Sequence, residues 1–321
     1  MTDTTPALDP ALDPELAALL GFLAEAGHPP MWQETPADAR AGFRTLAVDL
    51  RDPALLPEMA TVSELAIPGP AGDLPARVYR PRAGDLPTLV FFHGGGWVIG
   101  DLDTHDLTCR TLARDCDAVV VSVDYRLAPE HRFPAAVDDA EAATRWVAER
   151  AADPSAGLGG TPVVAVGGDS AGGNLAAVVA QTLRDEGTTL AGQLLIYPAT
   201  DVLTDHPSRT ENAEGYFLDA PTMAWFLEQY LGDADPADPR LSPARGDVTG
   251  VAPAVVVVGQ FDPLRDAGAA YARQLEGAGV PVELRTYPGL IHGFVDMGRY
   301  SRAAQAAIEE TCALFRTVLH A

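Results

Sequence analysis

Apolar positions along the chain change period. Over residues 14–26 and 35–50 they recur at helical spacing, which predicts two N-terminal amphipathic helices. Trp32 and Phe43 are large groups that precede any strand signal. From residue 60 the pattern changes: 61–67 and 76–79 alternate or are rich in β-formers. The segment Pro68-Gly69-Pro70-Ala71-Gly72-Asp73 between them predicts a hairpin turn. Six short apolar runs without alternation follow, at 88–92, 118–123, 162–166, 193–197, 254–258 and 282–287. Unbroken apolar strands imply a sheet covered on both faces, hence a mostly parallel one. Helical patterns fill most of the gaps, at 104–116, 135–149, 171–184, 264–277 and 301–319. The expected class is therefore α/β, an eight-stranded, mostly parallel sheet with helices on both faces.

One gap is out of proportion. More than fifty residues separate Tyr197 from Ala254, far beyond an ordinary α/β connection. Within it residues 220–231 form an aromatic-rich helical pattern, read either as a lid over the strand ends or as an extra helix packed on the core. The lid reading divides the chain into N-terminal cap helices (1–57), a core (58–198), a cap insertion (199–250) and the rest of the core (251–321).

Composition narrows the chemistry. A formal charge of −23 disfavours nucleic acid and anionic membrane surfaces as partners. All 22 basic residues are Arg, so mechanisms that need a lysine (a P-loop, a pyridoxal Schiff base, a Ser-x-x-Lys hydrolase) are excluded. Cys109, Cys116 and Cys312 form neither a disulfide framework nor a zinc pattern, and the first two read as small buried groups. The segment MTDTTPALDPALDPEL has acids and prolines where a secretory leader has basic residues and an apolar run. No stretch is long and apolar enough to span a membrane, so the expected location is cytoplasmic.

The chemistry-bearing residues sit where strand patterns end. Gly168-Asp169-Ser170-Ala171-Gly172 lies between a strand and a helix and fits G-x-S-x-G. On so sharp a turn the serine hydroxyl stands above the sheet near a helix N-terminus, which favours developing negative charge. His93-Gly94-Gly95-Gly96-Trp97 follows the first core strand. Three glycines in a row present backbone N–H groups without side chains, and with the N–H of Ala171 they would surround an oxyanion. A phosphate loop is disfavoured by the missing lysine. Asp262 stands just past the strand at 254–258, whereas its competitor Asp266 falls inside the next helix. His292 follows the last strand, and the later His320 is penultimate in the chain. Ser170, Asp262 and His292, each after its own strand, suit a nucleophile, an orienting acid and a base.

These segments resemble the hormone-sensitive-lipase-like esterases, bacterial family IV of the α/β-hydrolase superfamily. The resemblance also rests on Tyr125-Arg126-Leu127-Ala128-Pro129-Glu130, Phe133-Pro134-Ala135-Ala136, Asp262-Pro263-Leu264-Arg265-Asp266 and His292-Gly293-Phe294, and extends from about residue 87 to the end. It implies an α/β-hydrolase fold with a helical cap, a triad of Ser170, Asp262 and His292, and oxyanion donors at Gly95, Gly96 and Ala171. It implies hydrolysis of short to medium acyl esters without cofactor or metal. Trp97, Tyr216, Phe217 and Trp225 are expected either as pocket walls or as ordinary cap packing. Arg126 and Glu130 are expected as buried pairing groups, and a homodimer through the last strand and helix is a further family expectation. Amide, lactone or carbamate hydrolysis, acyl transfer, a non-catalytic ligand-binding role and a scaffold role are the alternatives.

Overall fold

The computed structural model describes residues 9, 11–27 and 29–321; residues 1–8, on which the leader reading partly rests, lie outside them. Its centre is one eight-stranded sheet in the order β1-β2-β4-β3-β5-β6-β7-β8. The strands are β1 (Thr61–Gly69), β2 (Gly72–Arg80), β3 (Leu86–Phe92), β4 (Val119–Val123), β5 (Gly160–Asp169), β6 (Gln193–Ile196), β7 (Ala254–Phe261) and β8 (Val282–Ile291). β1 and β2 pair antiparallel, as do β2 and β4; every later pairing is parallel. The expected fold class is the observed one.

Each core strand supplies two cores, which explains its lack of alternation. From β3, Val90 and Phe92 enter the core beneath α4 (Ala135–Arg150) and α5 (Ala171–Asp185); Leu89 and Phe91 enter the opposite one, beneath α3 (Asp106–Cys116) and α9 (Arg302–Leu319). β7 behaves likewise, with Val256 on the first side and Val255 and Val257 on the second. The three cysteines are buried as small core groups.

Several boundaries differ from the sequence reading. The hairpin turn tightens to the two residues between Gly69 and Gly72, because Pro68 and Asp73 already pair. β8 runs four residues past the expected end, through Pro288 and Gly289. It is an edge strand, where a missing N–H on the open side costs no ladder bond. The expected helix at 35–50 is α-helical only over Pro36–Arg44 (α2), then widens into a π turn at Thr45–Asp49.

α2 is pinned to the core by two arginines one turn apart. Arg40 donates to Val98 O and Ala128 O, both at 2.8 Å, and forks onto Glu130; Arg44 reaches Asp101 and Asp103 at 2.8 and 2.6 Å. This corrects the reading of Glu130 as a buried group: it is exposed and serves α2, while Arg126 pairs with the fully buried Asp139. The long insertion holds α6 (Pro207–Glu211) and α7 (Ala220–Leu231). It is tied back by Asn174, whose Nδ2 donates to Ala199 O and Leu241 O. Among the described residues no helix is long and apolar enough to cross a membrane.

Candidate active site

β5 passes into α5 through one residue, Ser170, at φ 55° and ψ −116°. A non-glycine residue rarely accepts such a backbone, so the surroundings must enforce it. Here Ser170 N donates to Ile196 O at 2.8 Å. Gly168 and Gly172 let the turn close: a Cβ on Gly168 would strike the Gly172 backbone, and one on Gly172 the Phe92 carbonyl. Strand order reverses between β3 and β5, and the crevice beyond strand ends at such a point is where open α/β sheets bind ligands.

Asp262 follows β7 directly and His292 follows β8 directly. Nε2 of His292 is 3.0 Å from Ser170 Oγ, and its Nδ1 is 2.8 Å from Asp262 Oδ2. Asp262 is fully buried; its other oxygen accepts from Leu264 N–H at 2.7 Å. A carboxylate facing Nδ1 only accepts, so Nδ1 carries the proton and Nε2 is free to take the serine's. The Tyr197 ring packs on the imidazole, 4.5 Å between centroids. Asp266 instead pairs with Arg265 and accepts from Ser208 N–H.

The glycine run faces the same spot. Among the described residues the N–H groups of Gly95, Gly96 and Ala171 donate to no protein acceptor. The preceding Gly94 is engaged on both sides: its N–H donates to Asp169 Oδ1 at 2.8 Å and its carbonyl accepts from His93 Nδ1 at 2.7 Å. Burial, with neighbouring His105, pushes His93 down to about 4, so it is neutral. His105 lies with Nε2 3.5 Å from Asp169 Oδ1. Burial opposes charge on both, but their mutual attraction holds His105 above and Asp169 below its ordinary value. Burial raises nearby Asp296, whose carboxyl meets the Thr108 hydroxyl. His105, Asp169 and Asp296 bring metal-ligand-type atoms within 4.8 Å of one another. Those atoms are already engaged with Gly94, Thr108 and each other, so the trio reads as an ion-pair network.

A cavity of about 510 Å³ opens over Ser170 and His292. Leu19, Leu23, Phe43 and Leu46 wall it from the N-terminal segment, and Phe217, Met223 and Phe226 from the insertion. Of the expected wall residues, Trp97 and Phe217 line it; Tyr216 and Trp225 do not and are corrected. Tyr216 stacks on Phe261, 5.0 Å between centroids. Trp225 packs beside Phe226, the neighbour that faces inward. The spacing Thr222, Phe226, Tyr230 is the buried stripe of α7 and was available in the sequence. His105, a single histidine ahead of a helix, carried no comparable signal.

A family model described as the alpha/beta hydrolase fold matches residues 89–296. The carboxylic ester hydrolase LipN of Mycobacterium tuberculosis is 49% identical over 267 residues, 80% of this chain and 70% of that one. Carboxylesterase NlhH of the same species is 43% identical over 334 residues, spanning both chains completely. Among solved structures, an ester hydrolase from the metagenome of Lake Arreo, complexed with a bipyridine phosphonate derivative, superposes with a TM-score of 0.90. It is 44% identical, covering 97% of this chain and 100% of that one.

Proposed function

The chain belongs to the α/β-hydrolase family, among the hormone-sensitive-lipase-like esterases, and from that premise we propose that this carboxylic ester hydrolase works through Ser170, His292 and Asp262. The supporting observation is one continuous line of contacts, Ser170 Oγ to His292 Nε2 at 3.0 Å and His292 Nδ1 to Asp262 Oδ2 at 2.8 Å. His292 takes the serine proton while the alkoxide attacks the ester carbonyl, whose oxygen becomes anionic before Gly95, Gly96 and Ala171 N–H. The imidazolium then protonates the departing alcohol. A water gives a proton to the same imidazole and attacks the acyl-serine; as the adduct collapses, His292 passes that proton to Ser170 Oγ and the acid is released. Asp262 keeps the tautomer and offsets the imidazolium charge.

Substrates in this reading are short to medium acyl esters, for which a largely apolar cavity of about 510 Å³ is suited. The described residues before 58, together with 199–250, act as the cap over a core of 58–198 and 251–321. The same reading makes the enzyme cytoplasmic and pairs two copies through α9 and the open edge of β8, which fractionation and light scattering test.

The test is a p-nitrophenyl ester series from acetate to laurate on wild type and Ser170→Ala. Turnover should fall by about 10⁴-fold or more in the variant, with thermal unfolding unchanged. Retained turnover in Ser170→Ala would falsify the nucleophile assignment, and a maximum at laurate would remove the chain-length reading.

A further inference from the structure

We propose that Asp169, backed by His105, is a positioning residue that locks the glycine loop carrying the oxyanion donors onto the turn carrying the nucleophile. This rests on the serine-esterase reading above and adds the part that sets the donors' geometry.

Asp169 is the residue before Ser170, and Gly94 is the residue before Gly95. One buried hydrogen bond, Gly94 N–H to Asp169 Oδ1 at 2.8 Å, therefore joins the two segments that must cooperate on a carbonyl. A Cβ on Gly94 would run into the Asp169 carboxylate, so the close approach needs glycine there. The loop is held from its other sides as well. Tyr125 OH donates to His93 O at 2.7 Å, His93 Nδ1–H donates to Gly94 O, and Val98 and Ile99 N–H converge on Gly95 O. The Asp169 bond is the one contact in this set that comes from the nucleophile turn.

A buried carboxylate serves this purpose only if its charge is compensated. His105 supplies the compensation. Thr104 Oγ1 accepts from Asp101 N–H and lies 2.9 Å from both Asp101 O and His105 Nδ1, a polar contact for the ring's far side. Nε2 faces the Asp169 carboxylate at 3.5 Å, and the attraction between the two holds the imidazole above its ordinary value against burial. His105 and the Asp169 carboxylate are both nearly inaccessible to solvent, with the Asp296 carboxyl beside them in the same network. Oxyanion stabilisation depends on donors fixed in advance at the position charge will occupy, so a loop free to drift loses rate rather than binding.

Asp169→Ala and Asp169→Asn separate this from a merely structural role. Two ketones serve as probes: 1,1,1-trifluoroheptan-2-one, which adds the serine and forms an oxyanion, and heptan-2-one, which stays in its ground state. Asp169→Ala is expected to lower kcat by about 10²–10³-fold with KM within about threefold, the cost of a misplaced oxyanion donor. Inhibition by the trifluoroketone should weaken in step, with heptan-2-one unchanged. Asp169→Asn keeps an oxygen for Gly94 N–H and should recover at least about tenfold of the lost kcat, one hydrogen bond's worth. If Asp169→Ala fails to fold, His105→Gln takes its place, with a kcat loss of about tenfold and the same ketone selectivity expected. Unchanged kcat, equal weakening of both ketones, or an Asn variant as impaired as the Ala variant overturns the proposal. Active Ser170→Ala, or wild type indifferent to the trifluoroketone, overturns the underlying esterase reading instead.

Discussion

At Ser170 the backbone sits at φ 55°, and Trp97 on the facing loop has φ 61°. Both lie in a region that costs an L-residue of order 1–3 kcal/mol, so the packed turn and glycine loop must offset that strain. Strain here accompanies the candidate chemistry, while the neighbouring Gly95 (φ 113°) and Gly96 (φ 58°) take positive φ without it. Asp124 shows a different tension. Burial, together with Asp101, pushes its carboxyl up to about 6 from 3.8. Its folded-state value is the higher one, so it favours the fold below about pH 4 and loses that contribution as pH rises through about 6. Asp124→Asn is expected to stabilise the protein at pH 8, by no more than about 3 kcal/mol at 1.36 per unit, and to do little at pH 4. Chemical denaturation at both pH values checks it; an equal gain at both would rule out the titration as its origin.

At the level of elements, the attachment of α2 bears on the cavity, because Phe43 of that helix is part of its wall. Arg40 and Arg44, on one face of the helix, grip Val98, Asp101 and Asp103, just beyond the glycine loop, while Phe43 lines the cavity. The Arg40 hydrogen bond, with some opposition from burial, holds Glu130 down to about 2. A depressed acid supports the fold above its ordinary value near 4.5 and stops doing so as pH falls through about 2, so this clasp persists in mild acid. In Arg40→Ala/Arg44→Ala, KM for butyrate and longer esters is expected to rise roughly fivefold, about 1 kcal/mol for part-exposed pairs. Acetate turnover should hardly change. Equal loss across all chain lengths in the kinetic series would place the defect in the catalytic groups.

Across the whole molecule, 45 acids against 22 arginines leave a net charge of −23. Many of the arginines are consumed in pairs within about 3 Å of a carboxylate, and the surplus acids repel one another over distances salt can screen. The melting temperature should therefore rise by a few degrees, about 2–5 °C, between 10 and 200 mM NaCl. Calorimetry that finds a fall would show the arginine pairs outweighing the repulsion.

The α/β class, the strand-end positions of Ser170, Asp262 and His292, and the need for glycine around the proposed nucleophile were all legible along the chain, because each depends on local period or on backbone freedom. The cavity walls were less so. Adjacent aromatics such as Trp225 and Phe226 carry the same hydrophobic signal, and only the docking of α7 decides which one turns inward. Gly94, His105 and Asp169 look unrelated in sequence; folding brings their polar atoms together under the glycine loop. The physical reason is range. Periodicity and turn chemistry act within a few residues, whereas a buried charge finds its partner only where separate elements close over it.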